Sequence, residues 1–369
     1  MSDMQLAATP FHRLNLLAQD FTQSASMVKQ RCYFKGLLMF KFLPIASKPS
    51  RQNSAVIFLW RGAITALLLL LSGCSHNPGF IQVDQQYQSA NRNDRVRFVV
   101  IHYTAGNWQQ SLAVLTKPGK RPVSSHYLIP GSGDPTYPAD RPLKVYQLVP
   151  EQQRAWHAGD SRWEDRTGLN DHSIGIELVN ESWCEKQPNQ LQQQAELCVA
   201  ADFDPAQLQL LLALLKDILA RNTDISPTRV LGHSDIVPLR KQDPGSRFPW
   251  QWLAANGVGA WYDAAVMQKY WQQVPALPEI KTVQRALQLY GYGIAITGEH
   301  DAQSRAYLLA FQRHFVPEQL TGEPDLKTIA VLWALLEKYF PKALQQESSL
   351  QLLTPSAAVA ITPAWFTQI

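Results

Sequence analysis

His233 and Asp243 share one short stretch, Arg229 to Trp250, with Lys241 just ahead of the carboxylate. An imidazole, a carboxylate and a cation so close together suggest half of a metal site. A hydrolytic zinc site uses three protein ligands and keeps a fourth position open, so the chain must supply a third ligand and a base. His102 is a candidate ligand because it ends the apolar run from Val96 to Tyr103, and sites in α/β proteins collect at strand ends. His102, His233 and Asp243 would then offer two nitrogens and one oxygen, a donor set that suits zinc.

Glu177 is the candidate base. In the alternating run Ser173 to Val179, Ile174, Ile176 and Leu178 share one face, which puts Glu177 on the other with Ser173 and Gly175. A carboxylate is costly to bury there without a task, and its small neighbours would leave space for a substrate. Glu177 could take a proton from water and pass it to a leaving amine, while Lys241 could stabilise an oxyanion. Taken singly, each residue also has a plainer reading: a structural strand-end histidine, a solvent-facing glutamate, a surface Lys–Asp pair.

Elements must position these groups. Val96–Tyr103, Val123–Ile129, Lys144–Val149, Ser173–Val179 and Val230–His233 read as strands. Ser111 to Thr116 reads as a short helix, and Asp204-Pro205 opens a longer one with a cap residue and a first-turn proline, continued by Leu208, Leu211, Leu212, Leu215 and Leu219. The expected fold class is α/β, a mixed central β-sheet flanked by helices, over residues 94–265. Val274 to Pro278 reads as a linker. Ile280–Tyr290, Ser304–Phe315 and Leu326–Tyr339 then form a small C-terminal three-helix domain, 275–345, followed by a tail, 346–369.

The local motifs match a known family in order. Val-Ile-His102-Tyr-Thr, Val-Ser-Ser-His126-Tyr-Leu-Ile, Ala-Trp156-His157-Ala-Gly, Leu-Asn170-Asp-His-Ser-Ile-Gly-Ile-Glu177-Leu, and Gly-His233-Ser-Asp-Ile through Arg-Lys241-Gln-Asp243-Pro-Gly together resemble the zinc-dependent N-acetylmuramoyl-L-alanine amidases that share a fold with peptidoglycan recognition proteins. The resemblance implies one zinc ion on His102, His233 and Asp243, catalytic roles for Glu177 and Lys241, and a groove for sugar and peptide lined by His126, Trp156, His157 and Asn170. For His126 and His157, support of the site stands beside direct contact. Phage members carry a tyrosine where this chain has Ser125, which shifts proton transfer toward Glu177. The C-terminal helices resemble a peptidoglycan-binding module through Val283-Gln284-Arg285-Ala286-Leu287, Gly291-Tyr292-Gly293, Thr297-Gly298 and Ala310-Phe311-Gln312. As a wall-binding module, its removal (residues 275–369) would reduce wall retention more than cleavage of soluble fragments; the alternative is a helical cap that merely packs on the amidase. The implied partner is peptidoglycan or its muropeptides, cut between N-acetylmuramic acid and L-alanine. A wall-recognition protein that binds without cutting is the rival, but such relatives often lack a zinc ligand. A zinc peptidase would show a His-Glu-x-x-His helix, which is absent here.

Charge and cysteines set the compartment. The formal charge of +4 comes from residues 1–73, which hold eight basic residues against Asp3 and Asp20; the remainder has 26 basic and 28 acidic residues, so no nucleic-acid partner is expected. Arg61 followed by the apolar run to Leu71 and Ser72-Gly73-Cys74 reads as a lipoprotein signal over 56–74, with Cys74 lipidated and 75–93 a linker. Ser75 after the cysteine favours an outer-membrane lipoprotein facing the periplasm. Residues 1–55 sit awkwardly ahead of such a signal, as if the start codon were misplaced and synthesis really began near Val56. Cys184 and Cys198 could pair in an oxidising periplasm, and a monomer is the expected state.

Overall fold

The structure, a computed structural model, describes residues 84, 86–120, 122–187, 195–274 and 276–353. The leader with Cys74, the segment 188–194 and the tail beyond 353 lie outside them. The strands are β1 (Phe98–Tyr103), β2 (Tyr127–Ile129), β3 (Tyr146–Gln147), β4 (Arg162–Trp163), β5 (Arg166–Thr167), β6 (Ser173–Leu178), β7 (Trp183–Gln187), β8 (Ala195–Val199) and β9 (Val230–Gly232). The main sheet has the order β3-β2-β6-β1-β9. Only β3 runs antiparallel to its neighbour, so the sheet is mixed, as expected. Helices α1 (Trp108–Thr116) and α2 (Pro205–Arg221) follow β1 and β8. Asp204 caps α2 through Ala206 N, with proline in the first turn.

The interior strand β1 is buried on both sides, which is why its sequence is a continuous apolar run. Val99 and Ile101 pack with Leu211, Leu215 and Ile218 of α2. Phe98 and Val100 point the other way, into a core that contains Leu231, Ile236 and the C-terminal helices. Those helices are α5 (Ala264–Gln273), α6 (Ile280–Tyr290), α7 (Ala302–Phe315), α8 (Leu326–Tyr339) and α9 (Pro341–Gln346), after the short α3 (His233–Ile236) and α4 (Trp250–Ala255).

Three of the C-terminal helices match the expectation; α5 does not. Its Tyr270 is fully buried, and the Tyr270 hydroxyl and Lys269 both donate to Glu337 of α8. Four of its ten residues, Gln268, Lys269, Gln272 and Gln273, are polar and interrupt the apolar spacing, while Val266 and Met267 also pack on the core. Within the bundle one device occurs twice. Gln284 accepts from Gly298 N and donates to Thr297 and Ser304, while Gln312 accepts from Gly322 N and donates to Thr321 and Thr328. Each buried amide thereby satisfies the Thr-Gly turn ahead of the next helix.

The C-terminal region packs directly on the sheet domain. It shares a hydrophobic core with β1, β9 and α3. At the hairpin β4–β5 the wholly buried Trp163 bridges to Tyr292, Glu164 N donates to Gly291 O at 2.7 Å, and Glu164 holds Arg229. The hairpin β7–β8 was also not foreseen; its register makes Cys184 and Cys198 direct Cα partners, the backbone relation that a cross-strand disulfide requires.

A shared core should unfold as a unit. Scanning calorimetry is expected to show one transition for the catalytic and C-terminal regions, and Phe311→Ala, removing a wholly buried ring, should lower that single transition by about 3 kcal/mol of stability. Two separated transitions, with only the second moved, would contradict the shared core.

Candidate active site

Parallel pairing of β1 with β6 places His102 directly beside Glu177. His233 follows the end of β9 as the first residue of α3. Asp243 is brought to it by a backbone bond, Ser234 N to Asp243 O at 2.9 Å, ahead of a cis Asp243–Pro244 peptide. Three atoms then converge. His102 Nδ1 lies 3.0 Å from His233 Nδ1 and 2.9 Å from Asp243 Oδ2, and His233 Nδ1 lies 3.0 Å from that same oxygen. Hydrogen bonds cannot satisfy all three sides of this triangle, because a proton on each ring directed at the carboxylate leaves the two nitrogens in bare contact. Ligands bound to a tetrahedral metal ion at about 2.0–2.1 Å would lie at comparable spacing. His102, His233 and Asp243 are buried and form the candidate metal cluster among the described residues. Burial first, then His233, lowers the His102 pKa to about 4, against the pull of Asp243. For Asp243, burial alone would raise the pKa, but His233 and the bonds from both imidazoles hold it below the usual carboxylate range. A neutral imidazole and an ionised carboxylate are the states that bind metal.

A chain of hydrogen bonds fixes which nitrogen of His102 faces the cluster. Ser173 Oγ lies 2.7 Å from Leu169 O, a contact that needs the hydroxyl proton. Ser173 Oγ is therefore the acceptor for His157 Nε2 at 3.2 Å, which leaves His157 Nδ1 to accept from His102 Nε2 at 3.0 Å. The Nδ1 lone pair of His102 is then directed at the metal position. Burial and the nearby imidazoles hold His157 neutral, well below the usual histidine pKa. Gly175 makes room for this chain. A Cβ there would meet the His157 ring at 2.5 Å. The small face of β6 thus accommodates His157 rather than substrate, a correction to the sequence reading.

The remaining candidates divide between lining and support. A cleft of about 740 Å³ is lined by Glu177, Lys241, His157 and Trp156 together with Val114 and Trp183. Trp156 is 48% exposed and Trp183 41%, so two large aromatic faces are open at the cleft. His126 is not a lining residue. It is 1% exposed, its Nδ1 accepts from Gly175 N, and its Nε2 donates to Gln153 O, so both nitrogens are committed to backbone. Asn170 also supports: its Oδ1 accepts from His157 N and Ala158 N and pins the segment that carries His157. Sequence reasoning assigned no role to Ser173, although its place on the Glu177 face was a usable signal, and it missed Trp183 because β7 was not recognised.

Glu177 has the chemistry of a poised base. Its Oε2 is buried with no hydrogen-bond partner, although the side chain keeps part of its surface open to the cleft. Burial, then Asp243, pushes its pKa well above the ordinary glutamate value, and Lys241 opposes the shift.

Comparison with known proteins agrees with this geometry. Residues 92–246 match the family model described as N-acetylmuramoyl-L-alanine amidase, and residues 277–332 match a putative peptidoglycan binding domain. Over 267 residues the chain is 43% identical to the N-acetylmuramoyl-L-alanine amidase AmiD of Escherichia coli (strain K12), covering 70% of this chain and 90% of that protein. The chain belongs to the N-acetylmuramoyl-L-alanine amidases. Its fold aligns with AmpDh3 from Pseudomonas aeruginosa at a TM-score of 0.63 and 39% identity, covering 70% of this chain and 99% of that one. It aligns with E. coli AmiD, solved with the substrate anhydro-N-acetylmuramic acid-L-Ala-D-gamma-Glu-L-Lys, at a TM-score of 0.61 and 42% identity, covering 70% and 96%. The amidase resemblance read from the motifs is borne out, with the mixed sheet and the helical peptidoglycan-binding region.

Two outcomes follow for the amidase. Ser173→Ala removes the acceptor that fixes His157 and should weaken metal affinity by about tenfold, read by chelator competition. Glu177→Gln should stabilise the metal-free protein. The folded state disfavours the charged carboxylate, so the penalty is present above the unfolded pKa and vanishes below it. A gain of about 1 kcal/mol is expected at pH 7 and none near pH 3.5, measured by denaturant unfolding.

Proposed function

We propose that this amidase is a zinc enzyme, lipid-anchored through Cys74 at the periplasmic face of the outer membrane, that strips stem peptides from muropeptides, including anhydro-muramic ones. The observation that carries the zinc reading is the triangle of His102 Nδ1, His233 Nδ1 and Asp243 Oδ2 beside the unpartnered Oε2 of Glu177. The signal-like run ending at Cys74 supports the anchor. The ligands in the AmiD and AmpDh3 structures, both anhydro-muramic peptides, support the substrate class.

His102, His233 and Asp243 would hold the ion. When bound, zinc supplies Lewis acidity to the amide carbonyl and to the attacking water. Glu177 takes the water proton, and its raised pKa lets it keep that proton long enough to deliver it to the departing alanine nitrogen. Lys241, exposed at the cleft wall, approaches the oxygen that gains charge as water adds to the carbonyl. Trp156 and Trp183 offer apolar plates on which sugar and peptide can lie. The products are free stem peptide and a muramic acid with its lactyl carboxylate.

Mass analysis of products from an anhydro-muramyl tripeptide tests the reading. The purified protein should hydrolyse only the lactyl amide, lose activity to a chelator and regain it with zinc. Glu177→Gln should retain zinc and lose turnover by about a hundredfold or more, and Cys74→Ser should move the protein from the membrane to the soluble fraction of cells. Undiminished turnover by zinc-free protein, or cleavage within the stem peptide, would defeat the enzymatic proposal; an unchanged membrane fraction for Cys74→Ser would defeat the anchor.

A further inference from the structure

Asp235 lies two residues after the candidate ligand His233, and its side chain is 1% exposed. Three donors surround it. Its Oδ2 accepts from Gly232 N at 2.7 Å and from His314 Nδ1 at 2.8 Å, and its Oδ1 accepts from the Tyr292 hydroxyl at 2.9 Å. Gly232 is the peptide directly before His233, whereas His314 and Tyr292 belong to the C-terminal region. One carboxylate thus ties the metal-binding stretch to the peptidoglycan-binding bundle.

The surroundings leave this stretch little freedom. His314 stacks on Trp250 with ring centres 3.8 Å apart and planes at 16°. A Cβ at Gly232 would meet Pro244 at 2.7 Å and Trp250 at 3.3 Å, so the backbone ahead of His233 is pressed against the residue that follows Asp243. The two ligands from this stretch therefore depend on one packed unit, with Trp250 on one side and the Asp235 carboxylate on the other. An apolar contact would have joined the two regions at a lower desolvation cost than a buried carboxylate. What the carboxylate adds is direction, because its bonds fix both the Gly232 amide and the start of α3.

We propose that Asp235, His314 and Tyr292 form a positioning interlock through which the C-terminal region holds His233 and Asp243 in ligand geometry. These residues position ligands and do not touch substrate. The inference rests on the metal reading of His102, His233 and Asp243. It also changes the part played by the C-terminal region. Besides any hold on the wall, the bundle completes the support of the catalytic centre. Removing it would leave Asp235 with the Gly232 amide as its one remaining partner among these three, and a carboxylate so placed turns toward water and draws Gly232 with it.

The full chain is used for the test. Tyr292→Phe and His314→Leu each remove one donor to Asp235, His314→Asn keeps a side-chain N–H near the Nδ1 position, and Tyr339→Phe removes a different bond of the same interface, to Trp261. Zinc affinity is measured by competition with a chromophoric chelator, thermal midpoints alongside, and amide exchange of residues 232–243 in the metal-free proteins. The interlock predicts about tenfold weaker zinc binding for His314→Leu, about threefold for Tyr292→Phe, and recovery in His314→Asn. It predicts faster exchange in that segment for the first two. Tyr339→Phe should lower the midpoint with zinc affinity unchanged. Wild-type zinc affinity and exchange in both His314→Leu and Tyr292→Phe would overturn the proposal, as would equal zinc weakening in Tyr339→Phe. If His314→Leu does not fold, Tyr292→Phe decides alone. A wild-type protein that binds no zinc defeats the metal reading instead, and the exchange measurement still decides the interlock.

Discussion

Side-chain alternation along β1 constrains everything around it. Phe98, Val100 and His102 share one face of the strand, so the surface that carries the first candidate metal ligand also needs covering at its other end. The C-terminal helices supply that cover over Phe98 and Val100, and the cleft begins at His102, where the cover stops. The opposite face, Val99 and Ile101, is closed by α2. Parallel pairing then sets Glu177 beside His102 without any loop having to place it. The candidate base and the candidate ligand sit on two paired strands of the buried sheet, which suits a reaction that depends on their separation.

The site is maintained mainly by neutral hydrogen bonds. Ser173, His157 and His102 pass one orientation from the Leu169 carbonyl to the metal position, and Asn170 and His126 secure the backbone on either side. Burial favours neutral imidazoles, so three histidines can crowd together without the mutual repulsion of cations. Gly175 is indispensable to this arrangement for a steric reason, since any side chain there would occupy the place of His157.

Much of this was legible in the sequence. Periodicity exposed the strands around His102, Glu177 and His233, the Asp204-Pro205 cap marked α2, and the three long C-terminal helices followed from their apolar spacing. The candidate metal ligands were legible because each sits within a recognisable local motif. The support roles were only partly legible, for a physical reason: support stood beside direct contact for His126, and both His126 and Asn170 act by bonding backbone groups, which a sequence does not name. The helix α5 escaped notice because Tyr270 is its one fully buried residue and its other core contacts, Val266 and Met267, are only partly buried. Hairpin strands as short as β4 and β5 have too few residues to show a period.

How closely the two regions pack was the part of the architecture least legible in the sequence, and the cause is instructive. Val274 to Pro278 has the composition of a linker, and composition reports the chain's local stiffness, not whether two surfaces have fused. Fusion here depends on residues far apart in sequence, such as Phe98 with the bundle's apolar residues and Asp235 with His314. Neither partner looks unusual alone. A buried carboxylate with donors from two regions makes the joint directional, whereas the surrounding apolar core only makes it strong. The bundle therefore shares its core with the sheet that carries the candidate site, and under the proposed interlock the same helices that could bind the wall would also bear on the candidate metal ligands.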